Sequence, residues 1–236
     1  MKKHLITILI IVGLFIIIFS SILINPDPIK MVAIGDSITY GTGDPQKKGY
    51  IGRFKEQFEE KTDSKIQMSN FGVPRYSTED VLTQIKIGKV KREIKQADYI
   101  LLYIGTNDFR KSAKYHFSSI NQKKVDAGRK KFSENLHLIF EKIRTENSVA
   151  PILVIGLYHP YTEYKNQEQI LRLINKWNTE ITEVAFLYGP TKFVETLDLF
   201  SGKAKKSYFS DSIHLNAAGY ELIANRVFKE MLILDS

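Results

Sequence analysis

The sequence predicts an α/β domain built on a five-stranded parallel sheet with helices on both faces. Three observations carry this. Apolar runs at Met31 to Ile34, Tyr99 to Ile104 and Pro151 to Leu157 are continuous instead of alternating, the pattern of strands covered on both sides. Longer segments whose apolar residues recur at helical spacing lie between the strands, and that alternation implies right-handed crossovers between parallel strands. Finally, two of the runs stop abruptly at Gly35-Asp36-Ser37 and Gly105-Thr106-Asn107-Asp108. Ligands bind at such carboxyl edges of parallel strands.

The chain begins with Lys2-Lys3 and an uncharged apolar stretch from Leu5 to Ile24. At about 1.5 Å per residue this stretch is about 30 Å long, the thickness of a hydrocarbon core. The expectation is an N-terminal transmembrane helix over residues 1–24, its positive end in the cytoplasm and the rest of the chain outside. Phe19-Ser20-Ser21 leaves open a cleaved signal peptide, and hence secretion. Residues 25–29, with Pro26 and Pro28, form a short linker, and residues 30–236 a single domain held close to the membrane.

Within that domain Met31 to Ile34 is the first strand, followed by a glycine-rich loop to Asp44. Tyr50 to Lys61 places Ile51, Phe54 and Phe58 on one helical side, and Lys65 to Asn70 is the second strand. Ser77-Thr78-Glu79-Asp80 reads as a helix start, with one helix running on to Gln96 across Gly88. After the third strand, Phe109 to Lys124 is polar and irregular, a candidate lid, before a helix over Val125 to Asn147. The fourth strand, a helix over Gln167 to Tyr188, a fifth strand at Lys192 to Leu197, a loop at Ser201 to Ser210 and a helix over Asn216 to Leu234 complete the chain.

Composition narrows the chemistry. With 43 % hydrophobic and 11 % aromatic residues, the 236-residue chain has ample material for a core. The absence of cysteine excludes a disulfide scaffold, thiol catalysis and cysteine-ligated zinc. The formal charge of +8 comes from scattered lysines without arginine-aromatic interleaving, so a solvated basic surface is expected and nucleic acid is not. No Walker A or G-x-G-x-x-G motif occurs, and Thr39 stands where a G-x-S-x-G elbow needs glycine.

Ser37, at the first strand-to-loop break, is a candidate nucleophile. A serine hydroxyl needs a base to take its proton and donors to hold the oxyanion. Asp211-Ser212-Ile213-His214 places a carboxylate and an imidazole three residues apart just before the last helix, where one loop can present both. The histidine would exchange the proton, and the aspartate would fix its tautomer.

Together these blocks resemble the SGNH/GDSL hydrolase superfamily over Ile34 to Tyr220. The resembling segments are GDSI at Gly35 to Ile38, NFGVPRYST at Asn70 to Thr78, GTND at Gly105 to Asp108 and DSIH at Asp211 to His214. The resemblance implies a flavodoxin-like three-layer α/β/α sandwich. It also implies a triad of Ser37, Asp211 and His214, and an oxyanion site made by the Ser37 N–H, the Asn107 amide and a second-block backbone N–H. That last donor is glycine in the family, and alignment on Asn70 puts Arg75 there, with Gly72 the alternative. The Arg75 guanidinium is separately a candidate for an anionic group of the substrate. The leader adds a resemblance to membrane-anchored acylhydrolases of Gram-positive bacteria.

The expected function is a serine esterase or lipase-like acylhydrolase acting on a small-molecule or lipid ester outside the cytoplasm, with no metal and no cofactor. The alternative is a membrane-tethered module that holds an envelope ligand without catalysis. His159, just past the fourth strand, is either a substrate contact or a plain loop residue. His116, in the candidate lid, and His137, on a helix, carry less weight still, and no metal site is expected.

Overall fold

The computed structural model describes residues 27–234. The expected membrane segment Leu5 to Ile24 lies outside them, and among the described residues no helix is long and apolar enough to cross a membrane. Five strands, β1 (Ile29–Gly35), β2 (Ile66–Gly72), β3 (Tyr99–Tyr103), β4 (Ile152–Ile155) and β5 (Thr191–Val194), form one sheet in the order β2-β1-β3-β4-β5. Every pair is parallel. The central β1, β3 and β4 are buried almost throughout, as continuous apolar runs require, whereas β2 at the edge is only partly buried and includes Gln67, Ser69 and Asn70.

The helices are α1 (Ser37–Tyr40), α2 (Gly49–Thr62), α3 (Thr78–Gln84), α4 (Gly88–Gln96), α5 (Thr106–Ser112), α6 (Gln122–Glu146), α7 (Gln167–Phe186), α8 (Lys205–Tyr208) and α9 (Ala217–Leu234). Helices α2 and α9 pack together on one face, and α6 packs against α3, α4, α5 and α7 on the other, giving three layers. The strand order is that of flavodoxin-like doubly wound sheets, whose switch point lies between β1 and β3.

Two expectations are corrected. The helix expected from Thr78 to Gln96 is two helices, because the chain turns at Ile85 to Ile87. Ile87 is extended (ψ 128°) and Gly88 opens α4, so the glycine lies beside a break instead of inside a helix. The candidate lid at Phe109 to Lys124 is neither wholly irregular nor loose. Residues 109–112 belong to α5, α6 begins at Gln122, and Phe117 between them is buried and stacked on Tyr161 at a centroid distance of 4.1 Å.

Sheet register positions the site. Gly35 at the end of β1 pairs with Gly72 at the end of β2 and with Tyr103 at the end of β3. Three loops therefore leave neighbouring strands from one rung. Gly35 allows this closeness, since a Cβ there would run into the Tyr103 carbonyl and the Thr39 hydroxyl.

Candidate active site

Ser37 is the first residue of α1, directly after β1. Asp36 caps that helix: its backbone is extended (φ −101°, ψ −150°) and its Oδ1 accepts the Ile38 N–H at 2.9 Å. The turn leaves Ser37 only 5 % exposed, with its hydroxyl facing a cleft of about 940 Å³. Asp44 fixes the loop that follows by accepting the Gln46, Lys48 and Gly49 N–H groups and pairing with the buried Arg53.

The loop between α8 and α9 brings His214 and Asp211 to the same cleft. His214 Nε2 lies 3.1 Å from Ser37 Oγ, and its Nδ1 lies 2.6 Å from Asp211 Oδ2. The other Asp211 oxygen, Oδ1, accepts the Ile213 and His214 N–H groups at 2.8 and 2.7 Å, so one carboxylate shapes the loop and orients the ring. Burial opposes ionisation of Asp211, but the bonds from the His214 N–H, the His214 ring and the Ile213 N–H outweigh it and hold the carboxyl below its usual range. The loop is fastened from below by the Tyr158 hydroxyl, which donates to the Ile213 carbonyl at 2.6 Å, and from the side by the Phe209–Leu215 bridge.

Two of the expected oxyanion donors come from the neighbouring loops. Asn107 is the second residue of α5; Gly105 before it has φ 124°, a conformation that L side chains rarely adopt. The Asn107 side-chain amide gives one hydrogen to the Tyr76 carbonyl at 2.9 Å and has a second hydrogen to offer. In the second block, the Tyr76 N–H donates to the Val73 carbonyl across Pro74 and Arg75, and Arg75 has φ 72°. With proline second and a positive φ third, this is the type II turn that ordinarily takes glycine at Arg75's position. Such a conformation costs a non-glycine residue about 1–3 kcal/mol.

Gly72, the alternative donor, is in β2, and its N–H is committed to Asn70 Oδ1 at 2.8 Å. The Ser37 and Arg75 N–H groups donate to no acceptor among the described residues. Asp108 joins the second and third blocks, accepting the Thr78 hydroxyl at 2.6 Å and its N–H at 3.1 Å.

The other described histidines lie elsewhere. His159 lines a separate cavity with Leu171 and Phe200, and both its ring nitrogens are buried without a hydrogen-bond partner. His137 Nδ1 meets the Tyr188 hydroxyl at 3.0 Å, and His116 Nδ1 meets the Lys114 carbonyl at 2.6 Å. Several cleft residues carry no functional signal in the sequence: Arg110 and Lys111 on α5, Tyr115 beyond it, and Asp80, which reads only as part of a helix start. Only the turn of α5 beyond Asn107 brings the first two into the cleft, and from Phe109 onward the sequence reads as irregular chain.

The chain is 31 % identical over 205 residues to the uncharacterized protein YpmR of Bacillus subtilis (strain 168), a match covering 85 % of this chain and 80 % of that protein. It is 20 % identical to the spore germination lipase LipC of Bacillus licheniformis, over 84 % of this chain and 94 % of LipC. Among solved structures, the lipase Lip_vut3 from a goat rumen metagenome superposes with a TM-score of 0.73 at 22 % identity, covering 86 % of this chain and 97 % of that one. The acetylxylan esterase Axe2 of Geobacillus stearothermophilus superposes with a TM-score of 0.66 at 17 % identity, covering 85 % and 93 %. The profile of the GDSL-like lipase/acylhydrolase family matches residues 33–222, a span that includes all four sequence blocks, and the chain therefore belongs to that family of carboxylic ester hydrolases.

Proposed function

We propose that this hydrolase cleaves carboxylic esters through an acyl-enzyme on Ser37, with His214 and Asp211 completing a triad, on the outer side of the cell membrane. The observation that carries the chemistry is the continuous chain from Ser37 Oγ through both nitrogens of the His214 ring to Asp211 Oδ2. In this reading His214 Nε2 takes the hydroxyl proton as Ser37 Oγ attacks the ester carbonyl. It then delivers that proton to the departing alcohol, leaving the acyl group on Ser37. A water molecule, deprotonated by the same nitrogen, attacks the acyl-enzyme, and the carboxylic acid leaves as Ser37 regains its proton. Asp211, ionised and hydrogen-bonded, stabilises the imidazolium in both steps.

The oxyanion is assigned to the Ser37 N–H, the Arg75 N–H and the second hydrogen of the Asn107 amide, all of them without other acceptors among the described residues. Asn107→Ala is expected to lower kcat by about 10²–10³, about 3 kcal/mol, with a smaller change in KM. Steady-state kinetics on a short soluble ester decides this. A change confined to KM would move Asn107 from the oxyanion to substrate binding.

The location outside the cytoplasm rests on the length and purity of Leu5 to Ile24 and on Lys2-Lys3 before it. One experiment tests nucleophile and location together. A membrane-impermeant fluorophosphonate applied to intact cells is expected to label the full-length protein in the membrane fraction and to leave Ser37→Ala unlabelled. Failure to label purified, folded protein would remove Ser37 as nucleophile. Labelling only after lysis would remove the outward orientation, and labelled protein free in the medium would replace the anchor by a cleaved leader.

A further inference from the structure

We infer that the cleft selects esters carrying a phosphate or carboxylate close to the reacting carbonyl, an inference that rests on Ser37 being the reacting group of that cleft. Its wall includes three cationic side chains, Arg75, Arg110 and Lys111. Two carboxylates also line it, and both have partners: Asp211 holds His214, and Asp80 accepts from the Ser77 N–H and hydroxyl. Lys111 donates to Ser77 Oγ at 3.0 Å and lies 4.0 Å from Asp80. The two guanidinium groups differ. Among the described residues neither has a carboxylate within ion-pair distance.

The contrast with the other buried or part-buried arginines gives Arg110 weight. Arg53, Arg129 and Arg226 each pair with a carboxylate, and Arg144 donates to four backbone carbonyls, whereas Arg92 and Arg172 are exposed like Arg75. Arg110 is likewise partly buried; its Nε, like that of Arg129, is buried with no acceptor, but Arg129 has Glu180 as its partner and Arg110 has no carboxylate partner among the described residues. A desolvated guanidinium without a carboxylate is costly, and Arg110 lines the cleft, where an entering anion would balance its charge. The Arg110 guanidinium sits over the Tyr115 ring, 5.1 Å from its centroid, which holds the fork in place without using its donors.

The backbone supports the same reading. Lys114 and Tyr115 have φ of 52° and 59°, and Arg75 has φ 72°. Left-handed non-glycine residues thus hold both Arg75 and the ring under Arg110 at this cleft, where the surrounding structure must impose the conformation. Guanidinium forks match the two oxygens of a carboxylate or phosphate. Asp36 feels the charge of Arg110 through its buried surroundings but forms no ion pair with it, so it does not serve as the missing partner.

Binding to Ser37→Ala, which cannot form an acyl-enzyme, tests this apart from catalysis. Two matched pairs distinguish the side of the ester that carries the anion: monobutyrylglycerol 3-phosphate against monobutyrylglycerol, and monomethyl succinate against methyl butyrate. By isothermal titration calorimetry the anionic member of at least one pair is expected to bind at least about tenfold more tightly, about 1.4 kcal/mol. Adding Arg110→Gln should shrink that gap below about threefold, Arg110→Lys should retain part of it, and Arg75→Gly, which keeps the backbone N–H, should also shrink it. Circular dichroism reports whether each variant folds; should Arg110→Gln not fold, the exposed Arg75→Gly carries the test. Equal binding within both pairs, or a gap unchanged in the folded arginine variants, would overturn the inference. Either result would leave the Ser37 reading standing, because that reading is decided by the fluorophosphonate.

Discussion

His214→Ala is expected to lower kcat on a short ester by about 10⁴ or more, about 5.5 kcal/mol of transition-state stabilisation, while the melting temperature stays within a few degrees of wild type. The kinetic loss follows from position. Among the described residues His214 is the one side chain hydrogen-bonded to both Ser37 Oγ and Asp211 Oδ2, so removing it leaves the hydroxyl with no proton acceptor there. The small effect on stability follows from what remains. The backbone N–H of residue 214 would still donate to Asp211 Oδ1, the Ile213 carbonyl would still accept from Tyr158, and Leu215 would still fill the core. His214 packs at the surface of the cleft with its side chain 19 % exposed, so no large cavity opens. Parallel steady-state kinetics and thermal melts check both halves. Activity within tenfold of wild type contradicts the assignment of His214 as base, and a collapse in melting temperature would make any loss of activity uninformative about the base.

The sheet was legible because burial on both faces leaves an imprint on local sequence. Ile100 to Tyr103 and Ile152 to Ile155 are wholly buried, and no polar residue interrupts either run. The break between α3 and α4 was hidden because Ile85 continues the apolar periodicity of α3 although the chain is already turning there. Helix α5 was hidden for the opposite reason: Thr106, Asn107, Asp108, Arg110 and Lys111 are polar, and the helix buries only Asn107 and Phe109.

For the site, the sequence supplied residue types and their order, but not distances. Ser37 and His214 are 177 residues apart, and their 3.1 Å separation depends on the rung shared by Gly35, Gly72 and Tyr103 and on Tyr158 holding the Ile213 carbonyl. Arg75 shows the limit most directly. A type II turn can be suspected from Val73-Pro74, but an arginine in its left-handed position is not what local preference would select. Arg110 carried no signal at all, because its unmet Nε is a property of packing among distant residues.

Asp36→Asn is expected to flatten the dependence of stability on pH between about pH 4 and pH 7. Asp36 is completely buried next to Ser37; one oxygen caps α1 and the other, Oδ2, has no hydrogen-bond partner among the described residues. Burial pushes its carboxyl up to about 7, with Asp108 adding to the rise and the Ile38 N–H, Thr106 and Arg110 opposing it. Burial raises the phenols of Tyr50, Tyr103, Tyr158 and Tyr220, and the charge of an ionised Asp36 adds to each rise. Below the ordinary value of 3.8 both the folded and the unfolded chain hold this proton. Between there and about 7 only the folded chain holds it, so this group's contribution to stability is full below pH 4 and falls as pH rises. At about 1.36 kcal/mol per pH unit the loss reaches about 4 kcal/mol above pH 7. The buried Asp108, also raised by burial, adds a slope of the same sign, whereas His159, lowered by burial, costs stability as pH falls below its usual range. These contributions cancel when wild type and variant are compared at each pH. Asparagine retains an oxygen for the Ile38 N–H and removes the titrating proton. The variant should therefore gain on wild type by several kcal/mol from pH 4 to pH 7.5 in urea unfolding, whatever its absolute stability. A difference that stays constant across that range would mean that Asp36 does not change its protonation there, and that the buried carboxylate is held charged by neighbours instead.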